Sequence, residues 1–263
     1  MLARSYLMCP PEHFTVEYAI NPWMDPEQPV DLTLARQQWE QLRAAYLSLG
    51  HTVHVIKPQP GLPDMVFAAN GGTVIGGQVL GSRFRHPERH PEGQAYMDWF
   101  RARGYPVTDP LAVNEGEGDI VFAGRSIIAG YGFRSDQAVA SELEAVFGLP
   151  VVSVRLTDPR FYHLDTALLV IDENTAAYYP AAFDEAGQAA LAAVFGELIE
   201  AKAADAEVLG LNGLSDGRHV VLPAQAESLA AEIEAAGFSV LPVDLSEFRK
   251  SGGGPKCCTL ELR

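Results

Sequence analysis

Along the chain, short runs of β-branched and apolar residues break at glycine-containing turns. They resume, then give way to stretches with apolar residues every three or four positions. One such unit begins at Met65, Val66 and Phe67, turns at Gly71 and Gly72, continues through Thr73 to Ile75, breaks at Gly76 and Gly77, and resumes at Val79 and Leu80. A helix from about Glu92 to Arg103 follows, ended by Gly104. The next unit has runs at Asp119 to Phe122 and Ser126 to Ala129, then a helix from Ser135 to Phe147 closed by Gly148. A third has Leu164 to Ile171, a turn at Asp172, Glu173 and Asn174, Thr175 to Tyr179, and an Ala-rich helix from Asp184 to Lys202. A fourth has Val208 and Leu209, a loop from Asn212 to Gly217, a strand His219 to Leu222, and a helix Ala224 to Ala236. The helix Leu32 to Leu49, stopped by Gly50 before the strand Thr52 to Ile56, makes a fifth pair; strands Ser239 to Val243 and Cys257 to Leu262 close the chain.

Recurrence at about 50 residues predicts a radially repeated α/β array. A doubly wound sheet also alternates strands and helices and stays open as the alternative. No GxGxxG stands at a strand-to-helix turn, so dinucleotide binding has no specific support. No low-complexity linker interrupts the pattern, and residues 1–263 read as a single catalytic domain.

The formal net charge is -15, from 34 acidic and 19 basic residues, a field that repels nucleic acid and anionic membrane and favours cationic ligands. The first residues lack an apolar core and a cleavage signal, and no long apolar run follows, so neither leader nor membrane span is expected. Cys9, Cys257 and Cys258 are an odd set with an adjacent pair, unsuited to a disulfide framework; a cytoplasmic location is expected. No CxxC or HExxH spacing supports a metal site, and no organic cofactor is implied. Oligomeric state is not encoded legibly, and a homo-oligomer stays open.

Four polar segments carry candidate chemistry. In Ser251-Gly252-Gly253-Gly254-Pro255-Lys256-Cys257-Cys258-Thr259, the alternation of a strand puts Cys258 with Leu260 and Leu262 on an apolar face and Cys257 with Thr259 and Glu261 on a polar one. Lys256 would favour a thiolate nearby. Taken alone, the segment reads first as a loop feeding a strand with two buried cysteines. His163 and Asp165 share a face at a strand start, pairing a general acid/base with a carboxylate. Glu115, Glu117 and Asp119 share parity beside two glycines and could grip a guanidinium, though a solvated acidic turn has the same composition. Asp64 and Asn70 end a short strand on one face, and Arg83, Arg85, Arg89 and Arg134 lie near strand exits.

In order and spacing these segments resemble the guanidino-group-modifying enzymes: amidinotransferases, arginine deiminases and dimethylarginine dimethylaminohydrolases. The run Gly252 to Cys257 with Thr259 after it, joined to His163-Leu164-Asp165 and to Glu115 through Asp119, carries the resemblance. It implies an α/β fold, a five-bladed propeller of ββαβ repeats around a narrow site. It implies Cys257 as nucleophile, His163 as general acid/base and Glu115 as guanidinium-binding carboxylate, with Glu117 open because the segment is one residue longer than usual. Asp119 belongs to the same acidic segment, Asp165 corresponds to a second guanidinium carboxylate, Arg89 and Arg134 to arginines that hold the substrate carboxylate, and Asp64 to the same pocket. Where dimethylarginine enzymes carry an acidic pair, this chain has Ala69 and Asn70. That departure, with Asn21, is similar to the arginine dihydrolases. The expected partner is a small guanidino substrate, arginine or a relative. The expected product is ornithine, with a citrulline-forming deiminase or dimethylargininase next, then an amidinotransferase or a silent arginine-binding module.

Overall fold

The glycine-punctuated runs form hairpins because each apolar strand can bury one face only beside a neighbour, and the turns of two to four residues between them allow immediate reversal. The computed structural model describes residues 3–263. Among the described residues the strands make five three-stranded sheets. Four repeat one plan, an antiparallel hairpin whose second strand pairs in parallel with a third reached through a helix. They are Gly72–Ile75, Gln78–Gly81 and Val107–Thr108; Ile120–Phe122, Ile127–Tyr131 and Val151–Arg155; Leu168–Val170, Thr175–Tyr178 and Glu197–Glu200; and Leu214–Ser215, His219–Pro223 and Ser239–Val243. In the fifth, Ser5–Met8 pairs in parallel with Thr52–Val55, while Leu260–Glu261 from the far end of the chain supplies the antiparallel strand.

The intervening helices pack their apolar stripes against the sheets. In Leu32–Ser48, Asp31 caps the N-terminus by accepting from Thr33 N and Leu34 N, and Trp39, Leu42 and Tyr46 enter one core with Val243 and Phe248. No helix of the described residues is long and apolar enough to cross a membrane.

The α/β repeat is as expected, with corrections. The third strands Val107–Thr108 and Val151–Arg155 were not predicted, nor was Ser5–Met8. The expected helix Asp184 to Lys202 ends at Val194, and Glu197–Glu200 is a strand; the Ala-rich composition concealed the change of period. Val208 and Leu209 lie in turns rather than a strand. Two segments expected as strands are 3-10 turns, Pro63–Val66 with Ala68–Gly71 and Leu164–Thr166, and a third, the chain through Cys257 and Cys258, is a hydrogen-bonded turn after which only Leu260–Glu261 is strand. The acidic segment likewise turns at Gly116–Gly118. Strand parity therefore does not orient the candidate residues.

Candidate active site

These turns link one sheet to the next and bring their side chains to a common point. Cys257 lies at that point, 2 % exposed. Its Sγ donates to Asp165 Oδ2 at 3.2 Å and accepts from Asn212 Nδ2 at 3.0 Å, while its backbone N donates to Asn212 Oδ1 at 3.1 Å. The same Asn212 amide donates to the Asp165 carbonyl, so one side chain ties nucleophile and carboxylate together. Gly254 admits this approach, since a Cβ there would lie 2.9 Å from Asn212 Oδ1. Burial, reinforced by the Asp165 carboxylate, pushes the Cys257 thiol well above its usual range. Asp165 itself is pushed up to about 6 by burial, with His163 and the Cys257 hydrogen bond pulling against it.

His163 Nε2 lies 2.7 Å from Glu115 Oε2, and Arg134 Nη1 donates to that same oxygen at 2.9 Å. Arg85 N donates to the other oxygen. Burial opposes ionisation of Glu115, but Arg134 and His163 outweigh it and hold the carboxyl well below the usual range. His163 Nδ1 and Asp165 Oδ1 are buried and, among the described residues, have no hydrogen-bond partner. Such orphaned atoms are uncommon in packed proteins, and here one belongs to the residue that accepts from Cys257 Sγ and the other to the residue bonded to Glu115.

Asn70 Nδ2 donates to the Glu115 carbonyl at 3.0 Å, and Asn70 Oδ1 accepts from Arg89 Nη1 at 3.0 Å. Gly118 brings Asn70 and His163 over one point: a Cβ there would lie 2.3 Å from Asn70 Nδ2 and 3.2 Å from His163 Nδ1. Asp64 accepts from Tyr18 Oη at 2.8 Å and Ser251 Oγ at 3.1 Å. Asn21 Nδ2 donates to Ser251 O, joining the N-terminal loop to the glycine-rich segment. Arg134 also donates to Ile20 O and stacks on Tyr162, with 4.7 Å from guanidinium carbon to ring centroid.

Cys257, His163, Glu115, Asp165 and Asn70 are thus brought together, with Asn21, Asp64, Arg89 and Arg134 packed around them. Glu117 and Asp119 are directed elsewhere. Lys256 Nζ donates to Glu117 Oε2 at 2.6 Å, and Glu261 N donates to the same oxygen. Asp119 accepts from Ser135 N and Oγ and from Leu164 N, bracing the His163 turn against the acidic one. Sequence reasoning missed Asn212, which stood only in a predicted loop; its neighbour Gly213 signalled a turn and nothing more. Among the described residues no three His, Cys, Asp or Glu side chains converge as a metal-ligand group.

The family model described as N,N dimethylarginine dimethylhydrolase, eukaryotic, matches residues 11–263. An N(G),N(G)-dimethylarginine dimethylaminohydrolase of Mycobacterium tuberculosis is 54% identical over 98% of this chain and 86% of its own length. The bifunctional arginine dihydrolase/ornithine cyclodeaminase AgrE of a Nostoc species is 37% identical over 98% of this chain, which spans only 37% of that protein. The crystal structure of the N-terminal domain of ArgZ, a cyanobacterial arginine dihydrolase, bound to product, superposes with a TM-score of 0.94 at 35% identity, covering 100% of this chain and 98% of that one.

Proposed function

This chain belongs to the N,N-dimethylarginine dimethylhydrolase family, enzymes that hydrolyse guanidino C–N bonds, and we propose that it is an arginine dihydrolase. On this reading residues 1–263 form one catalytic unit, the five sheets being blades of a propeller around Cys257. The reaction converts arginine and two waters to ornithine, CO2 and two ammonia. The observation that carries the reading is the carboxamide of Asn70, standing in the wall over which His163 Nδ1 also opens.

The chemistry follows from the charges. A guanidinium arriving between Glu115 and Asp165 neutralises the carboxylate that most opposes a Cys257 thiolate after burial itself, so the substrate helps to activate its own nucleophile. The thiolate adds to the guanidinium carbon, His163 protonates the departing ammonia, and an amidino-thioether remains on Cys257. His163 then takes a proton from water, which adds to that carbon; the C–S bond breaks and a ureido group is left. A second cycle expels a second ammonia and leaves a carbamate that loses CO2. In that cycle the group opposite residue 70 bears an oxygen. An amide N–H donates to it, where a carboxylate would repel it. Asp64, Asn21 and Arg134 lie where the far end of the substrate would be held, and Arg89 beside them.

A second reading, removal of dimethylamine from dimethylarginine to give citrulline, is favoured by the Mycobacterium tuberculosis relative named for that reaction. Product stoichiometry separates the two. The dihydrolase yields two ammonia per ornithine from arginine; one ammonia per citrulline, or reaction with dimethylarginine alone, rejects it.

A further inference from the structure

Asn70 is held between two groups that together permit one orientation of its amide. Arg89 Nη1 can only donate, so it requires the amide oxygen; the Glu115 carbonyl can only accept, so it requires the amide nitrogen. A flipped amide would set donor against donor and oxygen against oxygen. The orientation is therefore as secure as Arg89 is.

Arg89 is itself fixed by a residue that neither the sequence pattern nor the family resemblance singles out except as the start of a helix. Glu92 accepts from Arg89 Nε with both carboxylate oxygens at 3.2 Å, and from Nη2 at 2.8 Å. Nη2 also donates to the Asp64 carbonyl, and the guanidinium lies 4.5 Å from the centroid of the Phe84 ring. Arg89 is 3 % exposed and Glu92 0 %. Glu92 sits in the first turn of helix His90–Arg101, which places it three residues after Arg89 and aims its carboxylate along the fork. A buried ion pair adds little net stability over a well-packed apolar pair, because desolvating both charges costs about what their attraction returns. Its place against a site residue calls for another reason.

We propose that Glu92 is a positioning residue for Asn70: its carboxylate fixes Arg89, Arg89 fixes Asn70 Oδ1, and the Asn70 N–H is thereby turned towards the reacting group. The proposal rests on the dihydrolase reading, because that N–H matters most when the group bears an oxygen. Without Glu92 the guanidinium is free to swing, the amide can invert, and its oxygen then opposes the ureido oxygen. The first cycle suffers less than the second, and citrulline escapes.

The test begins with wild-type protein and arginine, scoring ornithine, citrulline and ammonia; citrulline as the sole product rejects the dihydrolase reading before any variant is made. Glu92→Gln is then compared at matched folding, monitored by melting temperature. The citrulline fraction should rise by about tenfold, the scale of one misaligned hydrogen bond, while KM for arginine stays within about twofold. A folded Glu92→Gln with the wild-type product ratio overturns the proposal. So does a raised KM with unchanged products, which would assign the pair to substrate binding. If wild type stops at citrulline, the positioning claim is decided on kcat for that product, which Glu92→Gln must lower at unchanged KM. Should Glu92→Gln not fold, Arg89→Lys is scored on the product ratio alone, where the same rise in citrulline is expected because a single ammonium cannot serve both Glu92 and Asn70, and an unchanged ratio overturns the proposal.

Discussion

Glu115 and Glu117 stand two residues apart in one turn, as Cys257 stands next to Lys256, yet the four side chains form two clusters of opposite character. Glu115 meets Arg134 and His163 and is held ionised. Glu117 meets Lys256 and the Glu261 backbone, and burial pushes it up to about 7, with Lys256 pulling against that and the Glu261 charge adding to it. The first cluster contains buried polar atoms without partners, His163 Nδ1 and Asp165 Oδ1. In the second, one carboxylate oxygen takes both the ammonium and a backbone N–H. The first cluster gathers Cys257, His163 and the carboxylates of Glu115 and Asp165; the second joins the glycine-rich segment to the acidic turn. Acidity and burial are shared by the two sides, so neither predicts chemistry. What separates them is the partner each carboxylate meets: a histidine and an arginine for Glu115, a lysine for Glu117.

The largest effect tests the adjacent cysteines. Cys257→Ser should lower kcat by on the order of 10⁴ or more and abolish labelling by a chloroacetamidine reagent, because the covalent step is lost. Cys258→Ala, in the apolar core beside it, should keep labelling and most activity at a cost of about 1 kcal/mol from the small cavity. Labelling of Cys257→Ser at the wild-type rate would erase the distinction between the two positions.

The acidic pair is the next test. Glu115→Gln keeps the shape of the side chain but removes the charge beside His163, and kcat should fall by about 10²–10³. Glu117→Gln should leave kcat within a few-fold and lower stability by about 1–3 kcal/mol in denaturant, because the buried Lys256 loses its nearest charge. Glu117→Gln as damaging to kcat as Glu115→Gln would merge the two clusters into one site.

Much of this was legible in the sequence where the period was regular. Gly76-Gly77 and Asp172-Glu173-Asn174 marked hairpins, and Gly50, Gly104 and Gly148 marked helix ends, because those features need only local rules. The third strands were not legible: Val107–Thr108 is two residues long, and the faces of Glu197–Glu200 carry no alternating pattern. The site residues were named from motifs, but the geometry assigned to them rested on a period of two. They lie in or at the caps of short 3-10 turns, and Cys257 in a hydrogen-bonded turn, where neighbouring side chains diverge without the alternation of a strand, so Glu115 and Glu117 part although equal parity would unite them. Asn212 and Glu92 were illegible for a different reason. Each acts by bonding to a residue distant in sequence or by completing an arginine's fork, and neither leaves a trace in local composition.

The smallest effect is one of sign across pH. In the free enzyme Glu115 stays ionised throughout the working range, so the acid limb of kcat/KM should belong to Asp165, pushed up to about 6: activity rises as pH rises through that value and the guanidinium-binding charge appears. Glu117 acts oppositely on stability. Its folded value, about 7, lies above its ordinary value, so the folded protein keeps a proton that the unfolded chain has released. The stability this contributes is fully present below the ordinary glutamate range and is lost as pH rises through 7. Glu117→Gln should flatten that decline by on the order of 1 kcal/mol in urea titrations from pH 5 to 8 while leaving the acid limb near pH 6 in place. A mutation that moved both curves together would mean that the two clusters share their protons, and the separation between catalytic and structural carboxylates would fail at its most sensitive point.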